Sequence, residues 1–239
     1  MKELLKNPFK GMTKKEWIIY ALSVAIILLS NVFTEEIDYF KNVATILGAT
    51  SLILIARGNA WGQIIMVVFC SMYAYTSYCF KYYGEMTTYL LMSLPISIMS
   101  IFTWLKNPYK KGENVVKIYR LSVKEVMFMF IISFVVTLGF YFILKFLNTP
   151  NLAVSTLSVT TSFIAAYLLL RRSSYYAIAY ALNDVVLIVL WVLASLQDRT
   201  YLSVVFCFAM FLFNDLNGFF SWKIREKQQK INEFEQSDC

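Results

Sequence analysis

The chain has 239 residues, 59% of them apolar and 17% aromatic against only 15% charged, and its mean hydropathy is positive. A soluble domain of this length fills its core with far less apolar residue, so lipid is the expected solvent. The apolar runs are continuous rather than alternating, which argues against a β-barrel. The formal net charge of +7 comes from 22 Lys plus Arg against 15 acids, and its placement reads as membrane topology rather than nucleic-acid binding.

Residues 1–16 form a basic, amphipathic lead. Eight apolar segments follow, at roughly 17–33, 39–56, 61–80, 86–105, 124–147, 151–170, 175–196 and 200–222. Most approach the ~20 residues a helix needs to cross a hydrocarbon core. The residues after the first segment are Thr34, Glu35 and Glu36, with no small-residue cleavage site, so that helix is expected to stay. With both termini in the cytoplasm, the inside segments hold five lysines at 2–15, Arg57, six basic residues at 106–124, Arg171 with Arg172, and four at 223–230. The outside loops hold only Lys41, Lys81, Lys145 and Arg199. A positive-inside bias of that size, alternating over eight spans, predicts a multi-pass protein of the inner (plasma) membrane with anionic lipid as a secondary partner.

Cysteines 70, 79 and 207 fall within spans and Cys239 ends the chain, so neither a disulfide framework nor metal spacing is present. There is no histidine, which removes His-based catalysis and metal ligation. No metal, no cofactor and no enzyme activity are expected.

Two triplets of segments echo each other. The first runs from ARGNAWGQ (56–63) to SIFTWLK (100–106), the second from LRRSSYYA (170–177) to GFFSWKI (218–224). Each opens on a basic turn and ends on Phe, a hydroxyl residue and Trp: Phe102-Thr103-Trp104 and Phe220-Ser221-Trp222. Two odd-numbered triplets keep one orientation only if a single helix separates them, and 124–147 supplies it. The expected fold is therefore an all-α integral membrane protein with parallel 3+1+3 pseudo-repeats, the symmetry of SWEET-type transporters. It divides into 1–38 (cytoplasmic N-terminus and extra helix), 39–105 (first repeat), 106–150 (cytoplasmic loop and linker helix), 151–224 (second repeat) and 225–239 (cytoplasmic tail).

Two acids fall well within spans: Asp184 in the seventh segment and Asp215 in the eighth. A carboxylate at mid-depth costs about 2.5–3.5 kcal/mol on insertion scales, so such groups face a cavity or a partner. Asn183 stands beside the first, with Tyr176 and Tyr180 on its helical face; Asn214 and Asn217 flank the second. Gln63, early in the third segment, is a further candidate, because a buried amide needs partners. Ser93, Ser97, Ser100 and Trp104 share one face of the fourth segment and read as a packing seam. Trp61, Trp104, Trp191 and Trp222 read as interfacial belt residues, Pro95 as a kink, and Tyr82-Tyr83-Gly84-Glu85 as an outside turn. Rings, amides and one or two carboxylates suit a flat, hydroxylated solute or a cation rather than an inorganic ion.

These residues resemble the PnuC-type transporters of vitamin-like solutes. The resemblance rests on Tyr83-Gly84-Glu85-Met86, on Trp104-Leu105-Lys106-Asn107-Pro108-Tyr109-Lys110, on Ala179-Tyr180-Ala181-Leu182-Asn183-Asp184, and on Asn214-Asp215-Leu216-Asn217-Gly218 with Trp222. It covers about 40–224. It implies facilitated diffusion of nicotinamide riboside into a bacterial cytoplasm, where phosphorylation traps it, and a homotrimer with one pathway per subunit. Asn183 and Asn217 fall on family asparagines. Many relatives place a WxxW pattern before the first of these, where this chain has Tyr175, Tyr176 and Tyr180. The substrate-binding set expected is Gln63, Tyr176, Tyr180, Asn183, Asp184, Asn214, Asp215 and Asn217. Uptake of another vitamin or nucleoside (thiamine, riboflavin, a deoxynucleoside), with or without proton coupling, is the alternative expectation.

Overall fold

A computed structural model describes residues 7–30, 39–79, 82–110 and 115–237. Lys2, Lys6, the Thr34–Glu36 stretch, Lys81 and Cys239 lie outside the described residues. Helix α1 (Lys14–Leu29) opens on a capping box, in which the Thr13 hydroxyl accepts the Glu16 N–H and the Glu16 carboxylate accepts the Thr13 N–H. Helices α2 (Tyr39–Ala56) and α3 (Ala60–Cys79) form a tight hairpin. Its turn places Gly58 at φ +69°, where a side chain is strained, and returns the Gly58 N–H to the Ile55 carbonyl and the Asn59 N–H to that of Leu54.

The hairpin closes at Gly62. A Cβ there would lie 2.7 Å from the Ile55 backbone nitrogen and 2.9 Å from the Ser51 carbonyl oxygen, and the Ser51 hydroxyl donates to the Gly62 carbonyl at 2.9 Å. Such close backbone approach is how membrane helices gain packing energy without a hydrophobic drive between them. Gly62→Ala must push two backbones apart; we expect a loss of about 1–3 kcal/mol, read as a lowered melting temperature of the detergent-solubilised protein. An unchanged melting curve would show that the hairpin has slack.

Helix α4 (Tyr83–Lys106) is one rod with a π turn at Tyr89–Ser93, where the Leu94 N–H reaches back to the Tyr89 carbonyl. Pro95 explains it: the ring has no N–H for the Leu91 carbonyl and collides with it, and one inserted residue relieves both faults. Glu85, expected in an outside turn, lies instead in the first turn of this helix and is only 6% exposed. It is a third buried acid beside Asp184 and Asp215. Pattern reading places helix ends only to within a few residues, and this one begins three residues before the apolar run.

Helix α5 (Val123–Phe146) starts on a second capping box, Ser122 with Glu125. Helices α6 (Leu152–Leu170) and α7 (Tyr176–Ser195) follow, joined by a turn in which Arg172 takes φ +58° and its N–H returns to the Leu169 carbonyl, as that of Ser173 does to Leu168. Asp198 then accepts the N–H and hydroxyl of Thr200, which holds its carboxyl below the usual range. A 3₁₀ turn at Arg199–Tyr201 leads into α8 (Leu202–Ser237). This last helix runs unbroken through the boundary drawn at 224. Its extension is tied to the 106–123 loop by Lys117–Glu233 and Arg120–Glu226 ion pairs, each 2.6 Å, and by the Gln229 amide, which bonds Ile118 and Val116 backbone.

Among the described residues there is no strand, only isolated bridges pairing Asn59 with Val115 and Pro108 with Val116. Among the described residues six helices, α2 and α4 to α8, are long and apolar enough to cross a membrane. Of the other two expected spans, α1 has 16 residues, and α3 carries Gln63, Ser71, Thr76, Ser77 and three tyrosines that reduce its hydropathy.

The belt expectation fails for three of the four tryptophans. Trp104, Trp191 and Trp222 are 2%, 2% and 0% exposed. Trp104 ends α4 and donates its ring N–H to the Leu169 carbonyl of α6; Trp222, on α8, donates to the Ile55 carbonyl of α2. The rings meet at 5.6 Å between centroids. Position near a helix end suggested the interface, but the packing of α4 on α6 and of α2 on α8 brings both rings to the centre of the bundle.

Candidate functional site

Asn183 and Asp184 are adjacent on α7 and therefore point about 100° apart. The bundle uses both directions. Asn183 turns to α6, where its Oδ1 accepts from Thr161 Oγ1 at 2.8 Å and Ser162 Oγ at 2.9 Å. Asp184 turns to α8, where its carboxyl lies within hydrogen-bonding range of that of Asp215. The two residues are 4% and 3% exposed, and Asp215 is 4%. Two carboxyls buried side by side cannot both ionise, so the pair carries at most one negative charge. Asp184 Oδ2 has no protein partner.

These groups line a narrow cavity of about 60 Å³, tighter than the roughly 300–1,000 Å³ of a formed small-molecule site, so ligand entry requires the walls to part. Tyr180, Asn183, Asp184 and Leu187 line it from α7; Phe208, Phe211 and Asp215 from α8; Met66, Phe69 and Cys70 from α3; Tyr89, Ser93 and Ser97 from α4; Gly48 and Leu52 from α2; Ser162 from α6. No lysine or arginine is among them. Tyr89 and Ser93 bracket the π turn, which swings them onto this wall.

Aromatic layers bound the cavity along the bundle axis. On one side Tyr73 packs at 4.4 Å on Tyr89 and at 6.3 Å on Phe208, and beyond it a second, smaller cavity of about 30 Å³ is lined by Lys41, Asn42, Ser77, Trp191 and Ser203 among others. On the other, Tyr180 meets Tyr176 at 6.3 Å, Tyr176 meets Trp222 at 4.8 Å, and Trp222 meets Trp104. Arg57, Arg171 and Arg172 occupy turns at the latter end of α2 and α6, with Arg57 bonded to Pro8 and Lys10 carbonyls.

Of the eight site residues read from sequence, Tyr180, Asn183, Asp184 and Asp215 line the cavity. The other four do not. Gln63 is fully buried, and neither amide atom has a protein partner; it stands one turn from Met66 on the stripe that continues through Cys70. Tyr176 forms the floor beneath Tyr180. Asn214 is engaged elsewhere: its Nδ2 donates to Ser23 Oγ of α1 at 3.0 Å and to the Met210 carbonyl at 2.8 Å. Asn217, one turn beyond, is half-buried outside the lining. Sequence reading missed Ser162, Cys70, Tyr89 and the phenylalanines. It took Ser93 and Ser97 for a packing seam. The Thr160-Thr161-Ser162 run was a usable signal for the α6 hydroxyls; the phenylalanines carry none within an apolar run.

Residues 38–224 match the family described as Nicotinamide mononucleotide transporter. Two relatives, each named Nicotinamide riboside transporter PnuC, come from Neisseria mucosa and Haemophilus influenzae. The first is 25% identical over 90% of this chain and 82% of its own length, the second 23% identical over 91% and 94%. A solved structure described as the crystal structure of the Vitamin B3 transporter PnuC superposes with a TM-score of 0.80 at 24% identity, over 95% of this chain and 97% of that one; it shares the fold. The family model covers most of the chain and several of its helices are fit to span a bilayer, so this multi-pass membrane protein, a transporter and not an enzyme, belongs to the nicotinamide mononucleotide transporter family.

Proposed function

We propose that the protein carries nicotinamide riboside into the cytoplasm across the bacterial inner membrane by facilitated diffusion. The carrying observation is a buried cavity holding an acid pair, a donor amide and aromatic walls, with no basic residue in its lining. The riboside is a flat pyridinium monocation with ribose hydroxyls and a carboxamide. One carboxyl of the pair ionises to balance the cation, and Tyr180, Tyr89 and Phe69 offer ring faces to it. Asn183 serves the carboxamide or hydroxyls, and the Gln63 amide stands one turn from Met66, outside the lining. Tyr176, Asn214 and Asn217 support this wall from behind. The names of the two relatives agree with this reading.

The mononucleotide in the family's name differs by a phosphate carrying close to two negative charges. Against an acid pair and no cation, that group has nothing to neutralise it. Purified protein in liposomes is expected to admit nicotinamide riboside down its own gradient with no ion gradient, and to pass the mononucleotide at least tenfold more slowly. Uptake that needs a proton or sodium gradient overturns facilitated diffusion. Equal flux of the phosphorylated form overturns the charge argument.

The 3+1+3 repeat fits the same picture. The caps after α2 and α6 have matching bonds, and Ile55 and Leu169, the penultimate residues of those helices, each accept a Trp N–H from the closing helix of the other triplet. The arginine turns and the basic loop at one end favour that end as cytoplasmic, with both termini inside. The resemblance extends to a homotrimer in lipid. The exposed Phe128, Phe130, Ile131, Phe134, Leu138 and Phe142 of α5 are where lipid and subunit contacts fall.

A further inference from the structure

We infer that Thr161 and Ser162 of α6 are positioning residues that set the hydrogen-bonding polarity of the cavity, by fixing Asn183 so that it offers a ligand only N–H donors. The inference rests on the transport reading above and adds the group that the site requires of its substrate.

A primary amide is two-faced. Its oxygen accepts, its nitrogen donates, and rotation about the last side-chain bond exchanges them at little cost when nothing holds either end. At Asn183 something holds one end. The carbonyl oxygen has two acceptor positions, and hydroxyls from consecutive residues of α6 fill both, at 2.8 and 2.9 Å. The acceptor half of the amide is thereby turned toward α6, and Nδ2 is the part left for the cavity. The two hydroxyls do not contribute equally. Thr161 Oγ1 also lies 3.1 Å from both the Leu157 and Ser158 carbonyls and has a single proton to share among three acceptors. Ser162 Oγ makes its one described bond to Asn183, and it alone of the pair lines the cavity. Ser162 is thus the principal anchor.

The opposite wall has the reverse polarity. The acid pair on α7 and α8 presents carboxyl oxygens, one of them without a protein partner. The cavity therefore has a donor side next to α6 and an acceptor side next to α8. A ligand satisfies both only if it carries a carbonyl or hydroxyl acceptor at one edge and positive charge or a donor at the other. A molecule presenting only donors to Asn183 leaves a buried N–H pair facing N–H, which is how polar sites reject near-isosteres. The selectivity lies in Asn183, but the direction of that selectivity is decided on α6.

The test measures binding constants by calorimetry on the full-length protein in detergent. Three probes are used: nicotinamide riboside, N-ribosylpyridinium (no carboxamide) and N-methylnicotinamide (no ribose). The proteins are the unsubstituted chain, Ser162→Ala, Thr161→Val/Ser162→Ala, and the exchange Thr161→Ser/Ser162→Thr. We expect riboside binding to weaken about tenfold in the doubly apolar variant and less in Ser162→Ala, and to return to within about threefold in the exchange variant. One truncated probe should bind the unsubstituted and apolar proteins alike, because it lacks the acceptor that Asn183 serves. Unchanged riboside binding in the apolar variant overturns the inference. So does an equal loss for all three probes, or failure of the exchange variant to restore binding, since a mere loss of packing would act on every ligand. No riboside binding by the unsubstituted protein would instead strike the transport reading, and this inference with it.

Discussion

The double substitution Asp184→Asn/Asp215→Asn is expected to weaken nicotinamide riboside binding ten- to a hundredfold, while either single substitution costs only a few-fold. The asymmetry follows from the geometry. The carboxyls line one cavity from α7 and α8, buried too closely for both to ionise, so either one supplies at most a single negative charge opposite the cation. Removing one carboxyl leaves the other able to ionise and keep that charge; removing both leaves a neutral cavity facing a cation. A unit charge about 5 Å from another is worth roughly 3 kcal/mol at an effective dielectric near 20. Part of that is offset by the desolvation of the ligand cation, leaving the ~1.4–2.7 kcal/mol that the stated range represents. Asparagine keeps the shape of each side chain, so expression and melting temperature should change little. The neutral reduced riboside should bind the double variant as it binds the unsubstituted protein. Equal losses for the cationic and neutral ligands would place the pair in the scaffold rather than at the substrate.

The largest stability effect is expected at Trp222. It is fully buried, packs against Tyr176 and Trp104, and donates to the Ile55 carbonyl at 2.9 Å. Trp222→Ala should cost about 3–5 kcal/mol, the range for deleting a large ring from a packed interior. Detergent-solubilised yield and melting temperature should both fall sharply. Trp222→Phe keeps most of the ring and loses the hydrogen bond, so about 0.5–1.5 kcal/mol is expected. The Ile55 carbonyl stays satisfied, because it also accepts the Gly58 N–H. Trp104 occupies the matching place against Leu169, whose carbonyl likewise accepts the Arg172 N–H. If the two triplets are structural repeats, Trp104→Phe and Trp222→Phe will lower the melting temperature by similar amounts. A large difference between them would count against the repeat.

Much of the fold was legible because lipid simplifies the problem. In hydrocarbon every backbone group must be satisfied within its own segment, so a long apolar run implies a helix; the runs at 39–56, 124–147, 151–170 and 175–196 became helices with ends shifted by at most one residue. The site was legible where a residue is costly in that solvent. Asp184, Asp215 and Asn183 announced themselves because a polar side chain at mid-depth needs a reason. The same argument misplaced Asn214, whose partner is Ser23 on α1, 191 positions away and invisible to any local pattern. It overlooked Glu85, which lies in the first turn of α4 just before the apolar run starts, and it assigned Trp104, Trp191 and Trp222 to a lipid interface by their nearness to segment ends.

The sequence by itself determined that this chain is helical, that its solvent is lipid, and that two consecutive helices carry acids and amides in their middle. These follow from composition and spacing, which act one segment at a time. Only the tertiary structure decided which polar residues meet. Asn183 and Asp184 are neighbours in the chain yet serve opposite walls, because 100° of helical rotation sends one to α6 and the other to α8. That Asp184 finds Asp215, that Asn183 finds two hydroxyls, and that Asn214 is drawn away to Ser23 depend on which helices pack together, a long-range outcome that no local pattern specifies.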